Sequence, residues 1–198
     1  MDSNYIFRAA VPDDAAQLLE IYAPYVRGTA VTFEYNVPDL DEFRERLVRN
    51  LEKYPCIVAE AEGGRIDGYA CTGPFRPQSA YAWTAETTIY LRWDAKGQGL
   101  GKALYERLER VSRAQNIQIL YACIGIAEGE DVNLDNSSPL FHYSMGYRTC
   151  GRFRKCGYKF GTWYDMIFME KALFEGDRPE SPEQVKAFPD LTDIDTLL

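Results

Sequence analysis

The sequence predicts an α/β (α+β) fold, with a mixed, mostly antiparallel central sheet flanked by helices. Three patterns predict it: two amphipathic helical segments come early, residues 56–71 have the pattern of a hairpin with a glycine turn, and the apolar stretch 83–91 runs through a glycine loop into a helical segment. Antiparallel strands in the middle of the chain and a strand, loop and helix after them make a mixed sheet covered by helices.

The composition is that of a globular protein with a single domain. The chain has 198 residues, of which 46% are hydrophobic, and this is enough for one packed core. The formal net charge is −8, so the overall field repels nucleic acid and anionic membranes. We therefore expect no nucleic-acid partner.

Composition also divides the chain into a domain at residues 1–172 and an acidic C-terminal tail at residues 173–198. The tail is rich in Pro, Asp and Glu and poor in aromatic residues, which predicts an exposed or loosely packed segment. No stretch approaches the roughly 20 apolar residues of a membrane helix, and the first residues lack the basic start and apolar core of a signal peptide. These features favour a cytoplasmic protein without a membrane partner.

Cysteine and histidine usage argues against a metal site. The five cysteines are odd in number, scattered and without a Cys-x-x-Cys pair, so we expect neither a disulfide framework nor a zinc site, and most should lie in the core. His142 is the single histidine, which excludes sites that need two or three imidazoles. We expect no metal, and any histidine-dependent chemistry must use His142.

The first half of the chain predicts a strand, two helices and a hairpin. In chain order these are a strand at 6–9, a helix after residue 14, a helix at 40–51, and strands at 56–60 and 66–71. Asp13 and Asp14 can cap the first helix, and Asp39 stands at the start of the second. Apolar residues recur at helical spacing in both segments, and a glycine turn joins the two strands.

The second half predicts four strands and two helices. In chain order these are a strand at 83–91, a helix at 103–114, a strand at 117–126, a short helix at 138–145, and strands at 148–155 and 163–170 around a turn at 157–161. Branched and apolar residues mark the strands, and Gly146 is placed to end the short helix.

The loop after the 83–91 strand has the sequence Lys96-Gly97-Gln98-Gly99-Leu100-Gly101-Lys102. Unpaired amides in the first turn of a helix can bind phosphate oxygens, and glycines let a ligand approach the backbone. The spacing lacks the Gly-x-Gly-x-x-Gly dinucleotide fingerprint and the Gly-Lys-Ser/Thr ending of a P-loop. From these residues alone, a diphosphate site and an ordinary strand-to-helix turn are both possible.

Several motifs together resemble the GCN5-related N-acetyltransferase (GNAT) superfamily, and within it the phosphinothricin and methionine sulfone acetyltransferases. The glycine loop fits the family's Gln/Arg-x-x-Gly-x-Gly/Ala pattern, with Lys96 in place of Gln or Arg. Gly73-Pro74-Phe75-Arg76, the Trp-Thr-Ala-Glu segment that ends at Glu86, and Gly-Tyr-Lys-Phe-Gly at 157–161 are more specific. The match extends over about residues 5–172.

The resemblance implies a GNAT fold and acetyl-CoA as co-substrate. The pantetheine arm is expected on the strand backbone and the diphosphate on the loop amides. The cofactor-binding residues implied are Ile89, Tyr90, Leu91, Gly97, Gln98, Gly99, Leu100, Gly101, Lys102 and Asn136. Because the acidic loop 128–135 is longer than the family's usual turn, Asn133 is an alternative to Asn136.

The resemblance also implies direct transfer of acetyl from the thioester to an amine, which needs a base and a proton donor. We expect Glu86 to be the base, because a carboxylate near the thioester can take a proton from an alkylammonium group. His142 is expected to protonate the leaving thiolate or relay a proton, with Tyr143 as a rival. The implied acceptor-binding residues are Phe33, Arg76, Tyr81, Trp83 and Thr84.

The acceptor implied by the resemblance is a small amino-acid-like amine of the phosphinothricin, methionine sulfone or methionine sulfoximine class. Acetylation of a protein or peptide amino terminus is an alternative, and it would need an open groove. A non-catalytic acyl-CoA-binding module is another, and it would keep its function when Glu86 is replaced. Family analogy also implies a homodimer.

Overall fold

The computed structural model of the protein describes residues 5–174, 176 and 179–198. Within these residues the sheet has seven strands in the order β1-β2-β3-β4-β5-β7-β6, and β4 and β5 are its parallel pair. The strands are β1 Tyr5–Ala9, β2 Cys56–Ala61, β3 Ile66–Pro74, β4 Thr84–Leu91, β5 Ile119–Ile126, β6 Arg148–Lys159 and β7 Thr162–Ala172. The prediction of a mixed, mostly antiparallel sheet is confirmed.

Helices cover both faces of this sheet. They are α1 Ala15–Gly28, α2 Leu40–Leu51, α3 Leu100–Ala114, α4 Ser137–Ser144 and the short α5 Ile194–Leu197. On one face α1 and α2 bury side chains such as Leu18 and Leu47, and on the other α3 buries Leu104 and Leu108. None of the helices in the described residues is long and apolar enough to cross a bilayer.

Of the caps predicted for the two early helices, the one at α2 is present and the one at α1 is not. The Asp39 carboxylate accepts a hydrogen bond from the Glu42 amide at 2.9 Å, so α2 begins as predicted. The Asp14 carboxylate instead accepts from the Val11 amide at 2.8 Å and from the Arg8 guanidinium at 2.7 Å. It therefore closes the 3₁₀ turn before α1 rather than capping α1 itself.

The parallel strands β4 and β5 pair at one end and separate at the other. Their register runs from Thr84 opposite Ile119 to Thr87 opposite Ala122, and the Thr87 hydroxyl donates to the Tyr121 carbonyl oxygen at 3.1 Å. The remaining residues of β4, 88–91, pair with β3. The separation leaves an opening in the sheet beside the start of α3.

The final hairpin is longer than predicted, and the proposed turn at 157–161 is wrong for residues 157–159. β6 continues to Lys159, and Phe160 and Gly161, both with positive φ, make the turn. Gly157 lies under the ring of Phe33, where a Cβ atom would come within 2.3 Å of the ring. The glycine in the motif therefore makes room for an aromatic ring rather than for a turn.

Lys159 is a buried lysine that joins the hairpin to the end of α1. Its side chain is 2% exposed, and Nζ donates to the carbonyl oxygens of Val26, Thr29 and Thr32 at 2.9, 2.8 and 2.8 Å. An ammonium group has three N–H donors, so these three acceptors match it fully. The contact holds the segment 29–33 against the sheet opening.

The cysteines depart from the expectation in two ways. Cys56 and Cys71, which face each other across β2 and β3 with Cα atoms 4.0 Å apart, form a disulfide. Of the other three, Cys150 and Cys156 are exposed, so the prediction that most cysteines lie in the core is wrong for them. A pair directly opposite in register is close in space whatever its separation in the sequence.

Most residues of the tail segment 183–198 are exposed as expected, but the expectation of loose packing is wrong for its apolar residues. The Phe188 side chain is 6% exposed, and five further apolar residues pack against the α3 core: Val185, Leu191, Ile194, Leu197 and Leu198. The Gln115 side-chain amide donates to the Lys186 carbonyl oxygen at 3.0 Å. Apolar residues spaced among the acids therefore dock this segment, which the overall composition concealed.

Candidate active site

The side chains of β4 line two spaces, and those at alternate positions line both. Those of Glu86, Thr88 and Tyr90 line a cavity of about 420 Å³ under α1 and α2, which we call the inner cavity. A second space of about 230 Å³, which we call the cleft, lies where β4 and β5 separate and adds Thr87 and Ile89 to its lining. Glu86 lines both, so its carboxylate lies where the two spaces meet.

The environment of Glu86 suits a general base. Burial raises the pKa of its carboxyl, and the positive charge of Arg76 partly offsets this shift. Among the described residues no side chain or amide donates a hydrogen bond to it, so its lone pairs face the two cavities. A carboxylate with a raised pKa is a stronger base than one in water.

The cleft exposes the backbone of β4 on one edge. The Arg92 amide donates to the Asp67 carbonyl oxygen at 2.8 Å, and antiparallel alternation then turns the backbone groups of Tyr90 toward β3 and those of Ile89 and Leu91 toward the cleft. The Tyr25 hydroxyl already donates to the Leu91 carbonyl oxygen at 2.6 Å. Ile89 is therefore the most open of the three predicted backbone partners, whereas Tyr90 reaches the cavities through its side chain.

The glycine loop forms an anion site at the start of α3. Gly97 and Gly99 have φ of +76° and +82°, a conformation that glycine adopts without strain. The first helical hydrogen bond runs from the Ala103 amide to the Gly99 carbonyl oxygen at 3.1 Å, so the amides of residues 100–102 have no acceptor within the helix. Gly101 packs against the Phe141 ring, which holds α4 beside the loop.

Three side chains near this loop form a stack that the sequence analysis missed. The Lys96 Nζ lies 3.5 Å above the Trp93 ring and 4.8 Å from the Tyr25 ring, and these two rings are stacked with centroids 5.0 Å apart. Burial lowers the pKa of the Lys96 ammonium, and the charge of Asp135 partly offsets the shift. The stack therefore places the Lys96 amino group close to the start of α3.

Valine in place of Gly99 is expected to weaken acetyl-CoA binding at least tenfold, because a branched residue at φ +82° distorts the loop that presents the amides. Gly64→Val is a matched control: Gly64 also has φ +82° with open space around it, but it lies in the β2–β3 turn. Calorimetric titration with acetyl-CoA measures both. Equal affinity in the two variants would contradict the loop's role.

His142 is 3% exposed and lies in a chain of hydrogen bonds along the cleft. Its Nδ1 lies 2.8 Å from the Ser138 carbonyl oxygen, and its Nε2 lies 2.8 Å from the Tyr105 hydroxyl, which is 3.1 Å from the Thr87 hydroxyl. A carbonyl oxygen only accepts, so Nδ1 carries the proton. Burial lowers the pKa of His142, so the ring is neutral and Nε2 accepts from Tyr105.

The structure gives different surroundings to the alternative residues for two roles, the proton donor and the cofactor-binding asparagine. Tyr143 is 53% exposed and its hydroxyl bonds to Thr149, so it lies away from the cleft. The Asn133 side chain donates to the Gly28 carbonyl oxygen at 3.2 Å, which gives it a structural part. Asn136 is exposed immediately before α4.

The predicted acceptor-binding residues lie at three separate places. Phe33 lines the cleft, and Arg76 and Tyr81 line a third cavity described below. Trp83 and Thr84 line a separate depression against the C-terminal segment, where the Trp83 indole donates to the Glu183 carbonyl oxygen at 2.7 Å. The structure therefore does not bring Trp83 and Thr84 to the cavities at Glu86.

Tyr105 is the most important residue that the sequence analysis did not single out. It is fully buried among the apolar residues of α3, and its hydroxyl reaches the cleft through His142 and Thr87. A tyrosine within the apolar stripe of a helix carries a hydroxyl group that needs a hydrogen-bond partner when it is buried. This feature of the sequence could have identified Tyr105 as a candidate. No group of three or more His, Cys, Asp and Glu in the described part of the chain could hold a metal ion.

Comparison with known proteins gives consistent matches. A family model for the acetyltransferase (GNAT) domain matches residues 7–168. The chain is 33% identical to phosphinothricin N-acetyltransferase of Streptomyces viridochromogenes, covering 88% of this chain and 91% of that protein. It is 31% identical to L-methionine sulfoximine/L-methionine sulfone acetyltransferase of Salmonella typhimurium, covering 88% and 98%. The structure of a phosphinothricin acetyltransferase from Sinorhizobium meliloti in complex with AcCoA aligns with a TM-score of 0.81 at 30% identity, covering 93% and 98%.

Proposed function

This chain belongs to the GNAT acetyltransferase family and is an acetyl-CoA-dependent N-acetyltransferase, and from that premise we propose its acceptor and its catalytic residues. The acceptor is the amino group of a small amino-acid-like compound of the phosphinothricin, methionine sulfone or methionine sulfoximine class. Glu86 is the general base. The observation that carries this proposal is the position of Glu86 where the inner cavity meets the cleft.

The cleft and the glycine loop fit acetyl-CoA. The orphan amides at residues 100–102 suit the diphosphate, with Lys96 adding positive charge beside them, and the open edge of Ile89 suits the amides of the pantetheine arm. Asn136, exposed at the start of α4, is the further cofactor-binding residue in this proposal. When bound, acetyl-CoA supplies an acetyl group activated as a thioester.

Glu86 takes the proton from the acceptor amine in the inner cavity. An alkylammonium has no lone pair to attack with, so it must lose a proton first. The carboxylate can take that proton directly or through a water molecule, and the positive charge of Arg76 partly offsets the rise in its pKa that burial causes.

Direct transfer is supported by the state of Cys123. This cysteine lines the cleft, where an acyl-enzyme would need a thiolate. Burial, with a smaller contribution from the charge of Glu86, raises the pKa of Cys123 to about 12. The thiol is therefore protonated at neutral pH and a poor nucleophile.

His142 contributes to departure of the thiolate through Tyr105. Because the neutral ring has its one proton on Nδ1 against Ser138, it has none to give toward the cleft. The Tyr105 hydroxyl donates its one proton to Nε2 in this arrangement, so it donates to the leaving sulfur only when it turns that proton away from His142. In this proposal His142 positions Tyr105.

Removing either side chain of the Tyr105–His142 hydrogen bond is expected to lower kcat about tenfold. This factor corresponds to the free energy of one buried hydrogen bond. Tyr105→Phe removes the donor and His142→Ala removes its support, so the double variant should be no worse than Tyr105→Phe alone. Tyr143→Phe is the control and should match the wild type. Additive losses in the double variant would show that His142 acts independently, as an acid in its own right.

The acceptor assignment is tested by release of free CoA thiol from acetyl-CoA. The panel contains phosphinothricin, methionine sulfone, methionine sulfoximine, ordinary amino acids and polyamines. Selective release with the first three is expected, since the inner cavity of about 420 Å³ suits a small molecule and the relatives are named for these acceptors. Release with polyamines alone would contradict the assignment.

A homodimer, by family analogy, and the cytoplasmic location expected from the sequence complete the proposal. The dimer is supported by the exposed aromatic side chains of the β6–β7 hairpin, which are 43–58% exposed: Phe153, Tyr158, Phe160 and Trp163. β6 is also the edge strand of the sheet, with backbone groups available for pairing.

A further inference from the structure

A third cavity of about 610 Å³, which we call the outer cavity, adjoins the inner cavity. The two share Arg46, Asn50 and Pro74. One wall of the outer cavity is the C-terminal half of α2, and the opposite wall is the loop between β3 and β4, which contributes Arg76 and Tyr81. Inner and outer cavities thus form one groove that starts at Glu86 and opens outward.

α2 lines the outer cavity with a cationic stripe. Arg46 and Arg49 stand at positions i and i+3 of the helix, and Lys53 lies in the turn that follows its last residue, Leu51. Arg76 adds a fourth positive charge from the opposite wall, and Glu52 is the single carboxylate among the described lining residues. In a chain with a net charge of −8, this groove attracts anions locally.

Three of these charges are available to a ligand. Arg46, at the boundary of the two cavities, is already paired with two carboxylates at 2.6 and 2.5 Å. Within the described part of the chain, Arg49, Lys53 and Arg76 form no ion pair. Arg49 and Arg76 donate to backbone carbonyl oxygens at 3.3 and 2.9 Å. Their positive charges are therefore not neutralised.

We infer that the outer cavity binds the C-terminal carboxylate of a short peptide whose amino terminus lies at Glu86. A peptide spans about 3.3–3.6 Å per residue, so each added residue moves the carboxylate outward along the groove, from the inner cavity toward Arg49 and Lys53 of the outer cavity. The inference rests on the proposed N-acetyltransferase activity and extends its acceptors from single amino acids to short anionic peptides.

The test compares CoA release with trialanine, trialanine C-terminal amide and methionine sulfone. The wild type should prefer trialanine over its amide, and added salt should reduce the preference. Arg49→Gln with Lys53→Gln should raise the KM for trialanine about tenfold, with kcat and the methionine sulfone kinetics unchanged. Arg44→Gln removes a charge of α2 that lines neither cavity, so it should leave KM and kcat unchanged for both trialanine and methionine sulfone.

Two results would overturn the inference while the proposed function stands: acetylation of methionine sulfone but not of trialanine, or an unchanged trialanine KM in the double variant. If neither the peptides nor the small amino-acid-like acceptors release CoA, the proposed function fails and the inference falls with it.

Discussion

Glutamine in place of Glu86 is expected to lower kcat about 10²–10³-fold while the Kd for acetyl-CoA changes less than twofold. The substitution removes the proton acceptor between the inner cavity and the cleft, and it leaves the glycine loop and the β4 edge intact. Single-turnover acetylation measures the first quantity and calorimetric titration the second. Glu62→Gln, in the exposed β2–β3 turn, is the matched control and should match the wild type.

The pH dependence gives an independent reading of the same residue. Because burial raises the pKa of Glu86, kcat/KM of the wild type should fall as the pH decreases through a value above the usual glutamate range. This acidic limb should be absent in Glu86→Gln. A variant that loses acetyl-CoA affinity in proportion to its turnover would show that Glu86 shapes the cleft and is not the base.

Methionine in place of Lys159 is expected to lower the free energy of unfolding by about 3–5 kcal/mol, because three buried carbonyl oxygens lose their donor together. For a domain of this size the midpoint temperature should fall by about 10 °C. Differential scanning calorimetry measures it.

Lys155→Met, on the same strand but exposed, is the control and should stay within about 0.5 kcal/mol of the wild type. A fall of under 1 kcal/mol in Lys159→Met would mean that water replaces the ammonium group at the three carbonyls. In that case the lysine would not be what holds segment 29–33 in place.

The elements that the sequence predicted well are those with local signals. The carboxylate of Asp39, the single apolar stripe of α2 and the glycine turn of the β2–β3 hairpin each act over a few residues, so a local pattern is enough to locate them. Lys159 shows the limit. The carbonyl oxygens that bind it lie more than a hundred residues away in the sequence, at the end of α1. The local pattern, a lysine between glycines, predicts a turn, and only the folded chain shows that the lysine is buried.

The same distinction holds for the candidate site. The glycine loop and Glu86 could be predicted from the sequence because the loop directly follows the strand that contains Glu86. Trp83 was assigned to the acceptor by resemblance alone, but its indole faces the C-terminal segment, whose docking depends on apolar residues scattered through an acidic tail. Tyr105 was missed because its polar partners come from β4 and α4.

The alternation along β4 has a consequence for how enzymes of this kind can diversify. Glu86, Thr88 and Tyr90 line both the inner cavity and the cleft, whereas Thr87 and Ile89 line the cleft and not the inner cavity. Point substitutions at Thr87 or Ile89 can therefore alter the cofactor side without touching the inner cavity, whereas substitutions at Glu86, Thr88 or Tyr90 affect both spaces. Insertion or deletion of one residue in β4 would exchange the two sets and lose both functions at once. Substitutions in this strand can therefore be tolerated during evolution, whereas changes in its length cannot.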